Sequence, residues 1–173
     1  MTTTVFCGTS VDGFIARHDD TFDFLPADGG EPHGFEEFIA TVDAIVMGRN
    51  TYNVVRTMGE WPYADRHVIV LSHRDMDLSG VPVTVERMSG TPAEILAKLT
   101  ARGFNHLYID GGITIQEFLR AGLINRFIIT RVPVLIGQGI SLFGALPHDV
   151  KLRHVATRSY ATGLVQSEYE VVN

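Results

Sequence analysis

Leu107-Tyr108-Ile109-Asp110-Gly111-Gly112 is the stretch that decides the fold. An apolar run ends in an acid and a glycine pair, and Thr114-Ile115-Gln116-Glu117 follows with the spacing of a capping box. The reading is a buried strand over 106–109 that passes abruptly into a helix, capped at Thr114 and running to about Ala121. Paired glycines adopt backbone conformations barred to other residues. A helix start placed there offers unbonded N–H groups and a positive dipole end, which suits a pyrophosphate.

Working outward, the same arrangement recurs. Ala44 to Met47 is an apolar run bounded by Gly48, and Gly48-Arg49-Asn50-Thr51 follows it. Gly48 permits close approach of a ligand, Arg49 supplies a planar cation suited to phosphate, and Asn50 is the expected cap of a helix beginning near Thr51. The run His67 to Leu71 reads as another buried strand and leads into Ser72-His73-Arg74, a hydroxyl, an imidazole and a guanidinium that suit a ribose 2′-phosphate. The first strand spans Thr4 to Thr9. A loop rich in Asp, Gly and Pro then runs from Ser10 to Gly34, with Asp12 in a Ser-x-Asp-Gly turn. Structureless loops of that length tend to be functional, and this one is expected to cover the site.

Elsewhere, Phe35, Phe38, Ile39 and Val42 recur at helical spacing, and Val81 to Glu86 reads as a short strand. Thr91-Pro92-Ala93-Glu94 is a second capping box, with Pro at the first helical position and Gly103 to close the helix. Phe127 to Val132 is a strand. Val155 to Tyr160 and Leu164 to Val171 flank Ala161-Thr162-Gly163 as a hairpin. Strands alternating with helices predict an α/β fold with a mainly parallel sheet and an antiparallel edge, in a single domain of 173 residues.

Composition removes several classes. A net charge of −6 disfavours a nucleic-acid partner. The run from Phe127 to Ile136 is broken by Arg131 and Pro133 and is too short to cross a bilayer. The N-terminus has no signal-peptide pattern. The single cysteine, Cys7, forms no internal disulfide, fits a reducing cytoplasm and reads as a small buried hydrophobe. No zinc spacing, Gly-x-Ser-x-Gly elbow or Gly-x-x-x-x-Gly-Lys loop is present, so no metal site is expected. Gly137-Gln138-Gly139 fails as a dinucleotide fingerprint because Leu142 stands at the third glycine position; it reads as a bend. Phe22, Phe24, Leu25 and Trp61 are candidates to line a ring-binding pocket. Asp12 and Asp110 are the candidate proton-transfer groups.

Taken together and in order, Ser10-x-Asp12-Gly13-Phe14-Ile15-Ala16, Met47-Gly48-Arg49-Asn50-Thr51-Tyr52, Leu71-Ser72-His73-Arg74 and Tyr108-Ile109-Asp110-Gly111-Gly112 resemble the dihydrofolate reductase-like superfamily. Pro133-Val134-Leu135-Ile136-Gly137-Gln138-Gly139 with Leu142-Phe143 resembles the branch containing the C-terminal reductase domain of riboflavin biosynthesis (RibD). The resemblance implies a three-layer α/β fold and an NADPH-dependent reductase in a cytoplasmic homodimer. It also implies that Gly48, Arg49, Asn50, Thr51, Ser72, His73 and Arg74 hold the phosphates and adenosine end. Gly111-Gly112, often joined by a cis peptide in that superfamily, would meet the pyrophosphate with Thr114, and Cys7, Gly8 and Ile15 would border the nicotinamide. The substrate so implied is the 5-amino-6-(5-phosphoribosylamino)uracil of the riboflavin pathway; the alternatives are a folate- or pterin-like imine, or a non-catalytic NADPH-binding role. Three departures stand out. Phe14 occupies the place of a common Lys, no deaminase motif is present, and Pro32 and His33 stand where dihydrofolate reductases carry a helix carboxylate, with Glu31 and Glu36 nearby.

Overall fold

The apolar runs read above are buried because both faces of the sheet are covered. A computed structural model describes residues 1–26, 33–59, 61–63, 65–82 and 84–172. In chain order the elements are β1 (Thr2–Ser10), β2 (Phe14–Ala16), α1 (Phe35–Ala40), β3 (Ala44–Gly48), α2 (Arg49–Arg56), β4 (His67–Leu71) and β5 (Val85–Met88). They continue with α3 (Pro92–Ala101), β6 (His106–Asp110), α4 (Gly112–Arg120), β7 (Arg126–Val132), β8 (Ile140–Ser141), β9 (Leu152–Ser159) and β10 (Val165–Val171). The main sheet has the order β5-β4-β3-β6-β1-β7-β10-β9. Pairings from β5 through β7 are parallel, and β10 and β9 close one edge antiparallel.

Successive residues of a strand point to opposite faces, so β3 feeds two cores. Ala44 and Val46 pack with Ile95, Leu99, Ile115 and Phe118 of α3 and α4. Ile45 and Met47 pack on the other face with Phe38, Tyr52 and Val55 of α1 and α2. A strand buried on both sides must be apolar throughout. Among the described residues no helix is long and apolar enough to cross a membrane.

Several boundaries differ from the sequence expectation. Helix α2 starts at Arg49 with Gly48 as its cap, so Asn50 lies inside it. Helix α4 starts at Gly112 with Gly111 as its cap, so Thr114 is the third helical residue and no capping box forms there. Gly111 has φ of 86°, which lets the chain turn at once from strand to helix without a linking loop. The strand expected at Val81 to Glu86 lies at Val85–Met88, and Val83 is outside the described residues. The loop after β1 is not wholly irregular: Phe14–Ala16 pairs with Ile140–Ser141 in a separate two-stranded sheet. Gly139 makes that pairing possible, because a Cβ there would run into the Ala16 carbonyl oxygen. Residues 27–32 of the same loop, with Glu31 and Pro32, lie outside the described residues.

The capping box at Thr91 forms as read: Glu94 N donates to Thr91 Oγ1 at 3.3 Å and Thr91 N donates to Glu94 Oε2 at 2.8 Å. Thr91→Ala is expected to cost about 1 kcal/mol in urea unfolding, with no change in slope.

Candidate active site

Three strand ends lie level at one edge of the sheet. Gly48 of β3 is in register with Leu71 of β4, and Met47 with Asp110 of β6. The segments that follow therefore converge, as they do at the carboxyl ends of other open parallel sheets. They enclose a cavity of about 370 Å³ whose lining includes Gly48, Arg49, Asn50, Thr51, Ser72, His73, Arg74, Gly111, Gly112 and Thr114. All ten were singled out from the sequence.

Helices α2 and α4 both begin on this cavity, and neither receives a side-chain cap. By contrast, the start of α3 is closed by its own Thr91 and Glu94. Two sets of unbonded N–H groups with two positive dipole ends thus face one space. Absent side chains let these segments pack closely against one another. A Cβ on Gly111 would fall well inside contact distance of Thr51 Oγ1, one on Gly112 would lie 2.8 Å from Ile140 Cγ2, and one on Gly48 3.1 Å from Thr114 Oγ1. Arg49, His73 and Arg74 make no ion pair among the described residues. Ser72 is engaged locally: its hydroxyl donates to Arg74 O at 2.8 Å and accepts from Arg74 N at 3.2 Å, closing the turn that carries His73 and Arg74.

A second cavity of about 340 Å³ adjoins the first, sharing Asp20, Thr51, Gly111, Gly112 and Ile140. Cys7, Gly8 and Ile15 line it, as expected, and so do Phe22 and Leu25. Phe24 and Trp61 do not: the Arg17 guanidinium lies 6.0 Å from the Phe24 ring, and Trp61 packs edge-on against Tyr52 and Tyr63. Phe6, Phe35, Val54 and Met58 complete largely apolar walls.

Asp110 is the carboxyl that lines this second cavity alone. Gly111 N donates to its Oδ1 at 2.8 Å, and the Tyr63 hydroxyl donates to its Oδ2 at 3.3 Å. Burial pushes its pKa above the usual carboxylate value, and these hydrogen bonds only partly offset that. Tyr108 lies close by but donates its own proton to Phe6 O at 2.9 Å. Burial, reinforced by Asp110, pushes the Cys7 thiol and the Tyr63 and Tyr108 phenols upward, which keeps all three neutral at physiological pH.

Asp12 is not brought to this site. It lines neither cavity, and its carboxylate accepts from Ile136 N at 3.3 Å and Gly137 N at 2.7 Å. The Ser10 hydroxyl and these two N–H groups hold its pKa below the usual range. Asp12 therefore fastens the loop after β1 to the bend before β8, which is the work of a turn residue. Phe14 also lines neither cavity. The Gly111–Gly112 peptide, for which the resemblance implied a cis bond, is trans.

Two site residues carried no sequence signal. Tyr63 sits in the segment after α2, outside any periodic pattern, and reaches Asp110 only through tertiary packing. Asp20 lies where the two cavities meet, has φ of 65° and accepts from Asn50 Nδ2 at 3.4 Å.

The sequence profile of the RibD C-terminal domain matches residues 2–166. The protein YwjB of Bacillus subtilis (strain 168) is 31% identical over 170 residues, covering 96% of each chain. A solved structure from Shewanella sp. PV-4, named as a candidate riboflavin biosynthesis protein, superposes with a TM-score of 0.93 at 38% identity and covers 100% of both chains. Dihydrofolate reductase from Enterococcus faecalis, complexed with NADP(H) and RAB-propyl, shares the fold with a TM-score of 0.69 at 18% identity, covering 99% of this chain and 97% of that one. With a dihydrofolate reductase-like sheet, its antiparallel C-terminal strand pair and a profile match over nearly its whole length, this chain belongs to the RibD C-terminal domain family.

Proposed function

We propose that the protein is an NADPH-dependent reductase acting on a conjugated C=N or C=O carbon of a small ring substrate. The observation that carries this reading is the adjoining of two unlike cavities, one lined by basic residues and helix starts and one largely apolar with the half-buried carboxyl of Asp110. The group fits the residues present. The starts of α2 and α4 with Arg49 would hold the pyrophosphate, His73 and Arg74 the ribose 2′-phosphate, and the surface formed by Cys7, Gly8 and Ile15 the nicotinamide. NADPH bound there supplies a hydride.

The remaining work falls to the chain. Apolar walls exclude water from the ring. Asp110, its affinity for protons raised by burial, is placed to pass a proton to a neighbouring imine nitrogen, and the carboxylate so formed stabilises the positive charge on the ring. Tyr63 orients that carboxyl through its hydrogen bond. The phosphoribosylaminouracil of the riboflavin pathway and a pterin-like imine both present a ring of the required kind. A homodimer belongs to the same proposal and is supported by edge strand β9, which is exposed along almost its whole length, Leu152 and Val155 included. So does a cytoplasmic location, which suits the free Cys7.

Loss of nicotinamide absorbance on mixing protein, NADPH and each ring substrate tests the reading; binding of NADPH without turnover on any would favour a non-catalytic role. The same assay checks Tyr63. Its hydroxyl favours the ionised form of Asp110, so Tyr63→Phe raises the Asp110 pKa further. The basic limb of the kcat/KM profile is expected to move to higher pH, with NADPH affinity unchanged.

A further inference from the structure

Resting on that reading, and narrowing its two candidate rings to the one without a phosphate, the structure assigns a substrate class to the second cavity: a planar ring that carries no phosphate and is neutral or positively charged. Among the described residues lining this cavity none is Lys, Arg or His, whereas two are carboxylates, Asp20 and Asp110. Asp110 stands among apolar walls and Asp20 at the junction with the phosphate-fitted cavity, so a phosphate placed between them meets like charge and no cation.

Other basic groups of the described residues are paired or lie outside this cavity. Arg17 is paired with Asp23. The Arg56 guanidinium lies 5.7 Å from the Tyr52 ring and donates to Asp77 O. Arg126 and Arg158 line a different cavity of about 430 Å³, which shares only Phe6 with this one, and Arg126 is paired with Glu168 at 2.7 Å. Phe14 occupies the place where riboflavin-type relatives often carry Lys and lies outside the cavity. A planar cation, in contrast, shares its proton with the Asp110 carboxylate, the same pair that proton transfer from Asp110 to a neutral imine would give, and meets Phe6, Phe22 and Phe35 in the lining.

Calorimetric titration of the NADPH-saturated protein with 4-aminoquinoline (a protonated planar bicycle at neutral pH), quinoline and naphthyl phosphate tests this. Saturation with NADPH keeps the phosphate probe out of the first cavity. The expected result is that 4-aminoquinoline binds at least about tenfold more tightly than naphthyl phosphate, with quinoline between them, and that Asp110→Asn reduces the preference to about threefold or less. Naphthyl phosphate binding as tightly as the cation, or no binding of 4-aminoquinoline, overturns the inference while leaving the reductase reading in place. Failure of NADPH to bind in the preceding titration removes the reductase reading itself, and this inference with it.

Discussion

Asp110→Asn is expected to lower turnover by about two to four orders of magnitude, to leave NADPH affinity within about twofold, and to make the folded protein more stable at neutral pH. The first effect follows because an amide can neither hold nor give the proton. The second follows because Asp110 lines the apolar cavity and not the phosphate-fitted one. The third comes from linkage. Burial sets the folded pKa of Asp110 above its ordinary value of 3.8. Between that ordinary value and the raised one, the folded chain keeps a proton that the unfolded chain releases. Stability from this group is therefore full below the unfolded pKa and is lost as pH rises through the folded one. Asparagine removes the titration, and its side-chain oxygen can still accept from Gly111 N. Thermal melts across pH check this: the variant should gain on the wild type as pH rises from acid to neutral. A variant less stable than the wild type at every pH would contradict it.

Gly111→Ala is expected to cost about 3 kcal/mol or more and to weaken NADPH binding by at least about a hundredfold. Two penalties coincide at this buried position. A side chain at φ of 86° is strained, and the new Cβ would be driven into Thr51 Oγ1, with Thr51 Cβ at 3.3 Å. The collision would displace the start of α2 relative to that of α4, the two helix starts proposed to hold the pyrophosphate. Gly122→Ala serves as the control: its φ of 68° is also positive, but nothing lies within 4 Å of the place a Cβ would take, so only backbone strain of about 1 kcal/mol applies. Removing the hydroxyl with Thr51→Ala should restore part of the stability lost in Gly111→Ala. Denaturant unfolding of the single and double variants measures the coupling.

The sequence was legible where one local signal had one meaning. Strands β3, β4 and β6 were readable because burial on both faces demands uninterrupted apolar runs. The start of α3 was readable because its cap is made by its own side chains. Most of the first cavity's lining was legible for the same reason, since the segments at Gly48, Ser72 and Gly111 each follow such a strand. Residues that depend on distant partners were not. Thr114 carries a capping box pattern, but the glycine pair lets α4 begin three residues earlier, which leaves the helix start without a side-chain cap. The pairing of Phe14–Ala16 with Ile140–Ser141 joins segments more than a hundred residues apart, and Asp12 fastens the same junction. Tyr63 and Asp20 become site residues only when the loops that carry them pack over β6 and α2.

The central claim is that two uncapped helix starts and a basic loop form one dinucleotide site. Calorimetric titration of NADPH into the wild type and Arg49→Ala tests it most directly. The expected result is one NADPH per chain and an affinity at least about tenfold lower in the variant. No binding to the wild type, or an affinity indifferent to Arg49, would contradict it.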